Sequence, residues 1–393
     1  MKTKILIACD KYKGNLSALE VCSTIKDAIY ETAQYLDEKV EIIISPMADG
    51  GEGTVETLVE SLKGKFVDLM VTGPLGNKVI SRFGIIGKET AVIEMSAASG
   101  LWMVPKDRRN PLETTTYGTG ELIKKALEMK CSKIIVGIGG SATNDAGMGM
   151  AQALGIRFYD SNKNLLGYGG KELFKINKID ASSLNPMVNY AKFEIACDVD
   201  NPLFGPNGAA YVYGPQKGAD NEMVQLLDEG LRNFSRAVKR DIGKDISNIK
   251  GAGAAGGLGA GLVAFLNASI KPGAEIIIEA TELERKMKGA DLVITGEGAM
   301  DSQTFSGKSS YGVAMLAKKL GIPIITINGS KNFNISDIDK EKLKLFSGNF
   351  STVNKPMGLE EAVKKGRFLL SEATRELIRF FLATRLKQSR QQH

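Results

Sequence analysis

Short apolar runs rich in β-branched residues alternate along this chain with stretches of helical periodicity, a pattern that predicts an α/β protein. Residues 4–9 (KILIAC) and 40–45 (VEIIIS) read as strands. Between them Ser17 and Glu20 form a capping-box pattern, and Val21, Ile25, Ala28 and Ile29 fall on one helical face. A glycine loop then leads into a helix from Thr54 to about Leu62. Residues 65–96 differ in texture. They read as consecutive strands with turn signals at GPLGN and IGKET, which predicts antiparallel pairing. Next come a helix near 118–129, a strand at 133–138, a helix near 144–154, strands near 193–197 and 209–213, and a polar helix at about 221–239. From residue 290 the simple rhythm returns: strand 290–295, helix 311–320, strands 322–327 and 342–347, and a long amphipathic helix at about 359–387.

The strands at the two ends of the chain suffice for one doubly wound parallel sheet of the flavodoxin-like kind. The expected division is therefore a discontinuous domain, 1–62 with 288–393, and a large mixed α/β domain inserted at 63–287, with a cleft between them. A length of 393 residues suits two cores better than one. Two sequential halves are the alternative division.

Composition narrows the chemistry. Charged residues make up 24% and hydrophobic residues 43%, as in ordinary globular proteins. The net charge of +6 is concentrated near the C-terminus, around Arg375, Arg379, Arg385, Lys387 and Arg390. No basic stripe with interleaved aromatics accompanies it, which argues against nucleic acid and leaves anionic metabolites. Cys9, Cys22, Cys131 and Cys197 form no C-x-x-C pair, so neither a zinc site nor a disulfide framework is expected. The N-terminal apolar run is too short for a signal-peptide core. Residues 251–270 lack charge but hold six glycines, which suits a buried loop and core helix rather than a membrane span. A cytoplasmic protein is expected. The single histidine is His393, the last residue, so histidine-based triads and histidine-ligated metals are set aside. Acid–base work falls to Asp, Glu or Lys, and any metal must be a hard cation on oxygen.

Chemistry of that kind is concentrated in loops after strands. CDKYKGNLS carries Asp10, Lys13 and Gly14; PMADGGEGT carries Asp49, Gly50, Gly51 and Glu52; TGEGAMDSQTFSGKS carries Gly296, Glu297, Gly298, Asp301 and Lys308. Each places a carboxylate and glycine ahead of a helix N-terminus, where backbone amides suit phosphate oxygens. Carboxylates there repel a bare phosphate, and the combination makes sense with Mg²⁺ between them. The inserted segment adds GIGGSATNDAGMGM, with Ser141, Asn144 and Asp145; CDVDNPLFGP, with Asp198 and Asp200; and GPQKGAD, with Lys217 between glycines. Each residue also has an ordinary reading: Asp or Ser as a helix cap, Lys217 as a solvated turn lysine, Trp102 as packing. SGKSS at 306–310 is not a Walker A loop, because Ser302 stands where its first glycine would fall. GAGAAG at 251–256 matches the dinucleotide fingerprint by letter but follows only a weak strand, so tight packing or phosphate approach is the better reading.

The phrases DKYKGNLSA, PMADGGEGT, GPLG, RNPLETTTYGTGELI, IGGSATNDAGMGM, CDVDNPLFGP, GPQKGA, GAGAAGGLGAGL and TGEGAMDSQTFSGK occur in that order from residue 10 to residue 308. Together they resemble the type I glycerate kinases over nearly the whole chain. The resemblance implies a two-domain α/β enzyme using ATP and Mg²⁺ to phosphorylate D-glycerate, with 2-phosphoglycerate the usual product. Departures from the usual pattern are Lys11, Tyr12 and Asn15 in the first loop, Ala146 where glycine is common, and Ser310 where proline often stands.

Phosphoryl transfer asks mainly for positioning and charge neutralisation. Glu297 and Asp301, or Asp49 with Asp10, are candidates to hold Mg²⁺. Lys13 and Lys217 would neutralise phosphate oxygens; Asp10, Gly14, Gly50, Gly51, Gly296, Gly298 and Lys308 would line the nucleotide. Asp198, with Asp49 as second choice, would take the proton of the acceptor hydroxyl. Ser141, Asn144, Asp145 and Arg109 (or Arg108) would bind glycerate. A kinase for another small hydroxy acid or sugar acid, and a non-catalytic nucleotide- or metabolite-binding regulator, are the rival readings. No nucleic-acid or membrane partner is expected, and monomer and homodimer are both open.

Overall fold

The computed structural model describes residues 2–391 apart from 49, 52, 303, 333 and 335–337. Along the chain the strands of its two principal sheets are β1 (Thr3–Cys9), β2 (Val40–Ile44), β3 (Lys65–Thr72), β4 (Lys78–Ile86), β5 (Thr90–Glu94), β6 (Lys133–Gly137), β7 (Lys192–Ala196), β8 (Ser269–Lys271), β9 (Leu292–Gly296), β10 (Ile324–Asn328) and β11 (Gly348–Ser351). The chain divides into two compact units, Met1–Asp49 with Ala274–His393, and Gly50–Gly273.

The first unit is built on a parallel sheet in the order β11-β10-β9-β1-β2. Counted by this unit's strands alone, that is the 2-1-3-4-5 order of doubly wound flavodoxin-like sheets. Helices cover both faces, so β1 is a continuous apolar run: Ile5, Leu6, Ile7, Ala8 and Cys9 are all fully buried. The helix Ala18–Tyr35 starts where the capping box places it. Ser17 Oγ accepts the Glu20 N–H at 3.2 Å, and the Glu20 carboxylate accepts the Ser17 N–H at 2.9 Å. This helix packs on Gly366–Gln391 through Val21, Cys22, Ile25 and Ile29 against Leu370, Ile378 and Leu382.

The second unit carries a mixed sheet in the order β8-β7-β6-β5-β4-β3. The β3–β4 and β4–β5 pairs are antiparallel, and the pairs β5–β6, β6–β7 and β7–β8 are parallel. Its core is filled by Phe83, Phe158, Phe193 and Phe234 with the aliphatic faces of Tyr117–Glu128, Asn221–Asp241 and Leu258–Leu266.

The seams fall at 49/50 and 273/274, not at 62/63 and 287/288. The helix Thr54–Ser61 belongs with the second unit because it packs on β4 and β5. The helix Gly273–Ala280 runs into the first unit, where Ala274 and Ile278 lie against Gly312. Three local expectations also change. Residues 209–213 form a helix rather than a strand, with Ala209 and Ala210 turned onto Asn221–Asp241. The run 342–347 is overridden by an N-cap at Asp339, whose Oδ1 accepts the Glu341 N–H at 2.8 Å. The strand begins only at Gly348. The long C-terminal helix breaks at Lys365 into Leu359–Lys364 and Gly366–Gln391. A Cβ at Gly366 would stand 1.9 Å from Asn15 Nδ2, so any larger residue there would require the Asn15 side chain on the loop after β1 to swing away. Among the described residues, no helix is long and apolar enough to cross a membrane.

Glu194 on β7 is fully buried among three ammonium groups: Lys133 at 2.7 Å, Lys192 at 2.8 Å and Lys271 at 3.4 Å. Burial alone would raise its carboxyl, but the three lysines together outweigh that and hold it at about 2. A carboxyl lowered by folding stabilises the native state above its unfolded value of 4.5, and that contribution disappears as pH falls toward 2. Glu194→Gln should lower stability at pH 7 by roughly 1–3 kcal/mol and flatten the acid limb of a urea-midpoint-versus-pH curve.

Candidate active site

In a doubly wound sheet, ligand-binding loops collect where strand order reverses, at the carboxyl ends of the strands. In the first unit that point lies between β1 and β9. The Asp10 N–H donates to Gly296 O at 2.8 Å, joining the ends of the two strands. A Cβ at Gly298 would stand 3.1 Å from Lys13 N and 3.2 Å from Tyr12 Cα, so the loop after β9 lies directly on the loop after β1. The Gly329 N–H donates to Glu297 O at 3.1 Å, bringing in the loop after β10. Tyr12 anchors the first loop, its hydroxyl donating to Ile327 O at 2.7 Å. Gly14 turns at φ +75°, and Lys13 is exposed beside it.

Asp10 and Glu297 are each 9% exposed. Asp10 Oδ1 accepts the Lys11 N–H at 2.7 Å. Burial pushes the Glu297 carboxyl up, with the Lys308 ammonium pulling the other way, and its Oε1 finds no hydrogen-bond partner among the described residues. Lys308 Nζ lies 3.7 Å from Glu297 Oε2 and 3.4 Å from Asp301 Oδ1. The two carboxylates assigned to a cation are thus bridged by a lysine. Among the described residues, no group of three or more carboxylates, cysteines or histidines is poised as a metal centre.

In the second unit Gly50 sits over the ends of the parallel strands. Its carbonyl lies where a Cβ on Gly137 would fall 2.5 Å away, and a Cβ on Gly50 would meet Ala196 at 2.7 Å. Gly51 approaches Gly139 in the same way. Asp198, exposed on the loop after β7, accepts the Gly273 N–H at 2.8 Å. Asp49 and Glu52 lie outside the described residues.

Lys217 is not a solvated turn lysine. It is 2% exposed, and its Nζ donates to Ser141 Oγ at 2.8 Å and to Thr143 O at 2.7 Å. Burial pushes its pKa down to about 7, with the Asp145 carboxylate pulling the other way. Arg109 joins this turn, its Nη1 donating to Gln216 O at 3.4 Å. Asn144 is fully buried, and neither Oδ1 nor Nδ2 has a partner among the described residues. Asp145, assigned to substrate, instead points inward. It accepts the Thr116 N–H and hydroxyl, each at 2.8 Å, and the Gly147 and Gly149 N–H groups at 3.2 and 3.3 Å. Its job is to fix the loop that carries Ser141 and Asn144. The GAGAAG segment packs on the same loop: a Cβ at Gly256 would stand 2.0 Å from Thr143 O, and the Ala146 N–H donates to Gly256 O at 3.0 Å.

Sequence reasoning missed Thr116 and Glu94. The helix Thr54–Ser61 opens at Gly53, φ +86°, with no side-chain cap. Glu94 supplies one from the end of β5, its Oε1 accepting the Val55 N–H at 2.9 Å. Burial pushes the Glu94 carboxyl up to about 7. The available signal was an acid closing the apolar run AVIE. Thr116 had only its place in a run of threonines.

Fold and loops together define an α/β protein with lysines and carboxylates on glycine-rich turns after its parallel strands. The glycerate kinase family model matches residues 5–382. A glycerate kinase of Halalkalibacterium halodurans is 45% identical over 95% of this chain and 97% of its own length. The glycerate 2-kinase of Escherichia coli K12 is 45% identical over 95% of this chain and 97% of its own. A solved structure from Salmonella typhimurium LT2, described as glycerate kinase 2, has a TM-score of 0.89 at 43% identity, covering 98% of this chain and 100% of that one. The chain belongs to the glycerate kinase family, and is an enzyme that phosphorylates glycerate with ATP as co-substrate.

A lysine whose pKa is lowered by folding leaves the unfolded chain holding the extra proton, so stability rises with pH between about 7 and 10.5. Lys217→Met should remain folded in circular dichroism and lessen that alkaline rise in urea midpoint. Its turnover with glycerate should fall by about a hundredfold or more.

Proposed function

We propose that the enzyme transfers the γ-phosphoryl group of ATP to the 2-hydroxyl of D-glycerate, giving 2-phosphoglycerate, in the cytoplasm and with Mg²⁺. The observation that carries the reading is Lys217: a lysine withdrawn from water and held in a glycine turn by Ser141 and Thr143. A buried cation on fixed dipoles is suited to charge that grows on a transferring phosphoryl group. The 2-position follows the E. coli relative, a glycerate 2-kinase.

The first unit's donors fit Mg²⁺: hard carboxylate oxygens, among them the unpartnered Glu297 Oε1. Glu297 and Asp301 would hold it, and when bound it neutralises triphosphate charge. Lys308, between Glu297 and Asp301, keeps that carboxylate pair compensated. Lys13 and the amides of Gly14, Gly296 and Gly298 line the nucleotide. Ser141, Asn144 and Arg109 orient glycerate, with Asp145 holding their loop from behind. Asp198, fixed by the Gly273 N–H and open to solvent, accepts the proton of the glycerate hydroxyl.

An assay of ADP release should show turnover with D-glycerate that far exceeds turnover with L-glycerate and other hydroxy or sugar acids, and enolase should consume the product directly. Preference for another acid, or a product that enolase ignores, defeats the assignment. Asp198→Asn should lower kcat by about two to four orders of magnitude while the KM for ATP changes less than about threefold.

A further inference from the structure

Lys308 is held loosely for a lysine that faces two carboxylates. Its Nζ lies 3.4 Å from Asp301 Oδ1 and 3.7 Å from Glu297 Oε2, and its side chain is 32% exposed. Charge-assisted bonds from an ammonium to a carboxylate run at about 2.7–2.9 Å. Lys133 and Lys192 reach that range on Glu194, at 2.7 and 2.8 Å. Lys308 is near enough to offset charge and too far to be locked in place. Its four-carbon stem lets the ammonium swing out while its backbone stays at the start of the helix Ser309–Lys319.

The carboxylate beside it is not satisfied by that lysine. Neither Glu297 Oε1 nor Ser310 Oγ has a hydrogen-bond partner among the described residues, although Glu297 is 9% exposed and Ser310 1%. The two groups are neighbours. Burial raises the Glu297 carboxyl, while the Lys308 ammonium and the hydroxyls of Thr304 and Ser310 pull it down. The adjacent Ser309 is engaged in packing, its Oγ donating to Ala48 O at 2.8 Å. A hydroxyl and a carboxylate oxygen buried side by side without bonding each other need an explanation, and a shared hard cation provides one. All these residues belong to the first unit.

We propose that Lys308 holds the place of a divalent cation: its ammonium sits against Glu297 and Asp301 until the cation binds, then swings to the phosphate oxygens of the nucleotide. Ser310 Oγ joins the two carboxylates as a further ligand of that cation. Because one charge leaves as the other arrives, the acidic pair is compensated in both states. A lysine freed for phosphate only when the cation is bound couples the two ligands. The coupling is reciprocal, so nucleotide raises cation affinity by the same factor. The inference rests on the assignment of Mg²⁺ to Glu297 and Asp301 made above.

The test uses the full chain without nucleotide and Mn²⁺ as the probe, with free Mn²⁺ counted by electron paramagnetic resonance. Lys308→Met, having no ammonium to displace, should bind Mn²⁺ about tenfold or more tightly than wild type. Ser310→Ala should bind it several-fold more weakly at an unchanged melting temperature. Reductive methylation read by mass spectrometry follows the lysine itself. Mg²⁺ should speed the labelling of Lys308 in wild type and make no difference in Glu297→Gln. Tighter binding by Lys308→Met while Mg²⁺ leaves Lys308 labelling unchanged overturns the proposal, because the lysine is then a fixed counter-charge. Wild-type affinity in Ser310→Ala overturns the part given to the serine. Equal affinities in wild type and Lys308→Met overturn the exchange, and magnesium-dependent turnover would still leave the cation assignment standing. Turnover undiminished by a chelator of divalent cations strikes the Mg²⁺ reading and the proposal with it.

Discussion

Withdrawing one lysine from water is the constraint around which the second unit's functional loops are arranged. Burying an ammonium group costs several kcal/mol unless fixed dipoles and a counter-charge replace its hydration. For Lys217 those replacements are Thr143 O, Ser141 Oγ and the Asp145 carboxylate. Asp145 is itself buried and would be costly alone, yet Thr116, Gly147 and Gly149 surround it with donors. The result is a chain of compensated charges running from the Tyr117–Glu128 helix start to the GPQKG turn. Close backbone approach makes it sterically feasible. Gly256 brings the GAGAAG segment against Thr143, and a single methyl there would push the lysine's own acceptor away.

The first unit solves a different problem with the same materials. Its sheet is parallel and covered on both faces, so the strand interiors carry no chemistry, and polar function is confined to the loops beyond the carboxyl ends. Strand order reverses between β1 and β9, which puts Asp10, Lys13 and Glu297 on touching loops although nearly 290 residues of chain separate them. Lys308 lies between the carboxylates of Glu297 and Asp301 and offsets part of their charge.

A chain with no histidine short of its last residue must place proton chemistry on groups whose ordinary pKa values lie far from neutrality. Burial is the lever used. It lowers Lys217 to about 7 and raises Glu94 to about 7, and it raises Glu297 and Asp145 as well. Glu94 puts its carboxylate on the start of the Thr54–Ser61 helix, and Asp145 on the amides at Thr116, Gly147 and Gly149. The folded chain thus turns carboxyl groups into backbone clamps and a lysine into a group able to change charge near pH 7.

Local order was legible in the sequence. The Ser17–Glu20 box, the apolar runs of β1 and β9, and the glycine loops at strand ends announce themselves through short-range sterics and hydrogen bonding, which act over a few residues. The loops that hold Asp10, Lys217, Asp198 and Glu297 were therefore readable as candidates. Their arrangement was not. Whether Lys217 is solvated or buried, whether Asp145 faces a ligand or the backbone, and whether 209–213 is strand or helix all depend on what packs from distant segments. The unit seams had the same origin, because Thr54–Ser61 and Gly273–Ala280 are assigned by their packing partners rather than by periodicity. Sequence alone settled which residues were chemically able to act. Tertiary structure decided which were desolvated, since the free energy of a charge depends on every group that displaces its water.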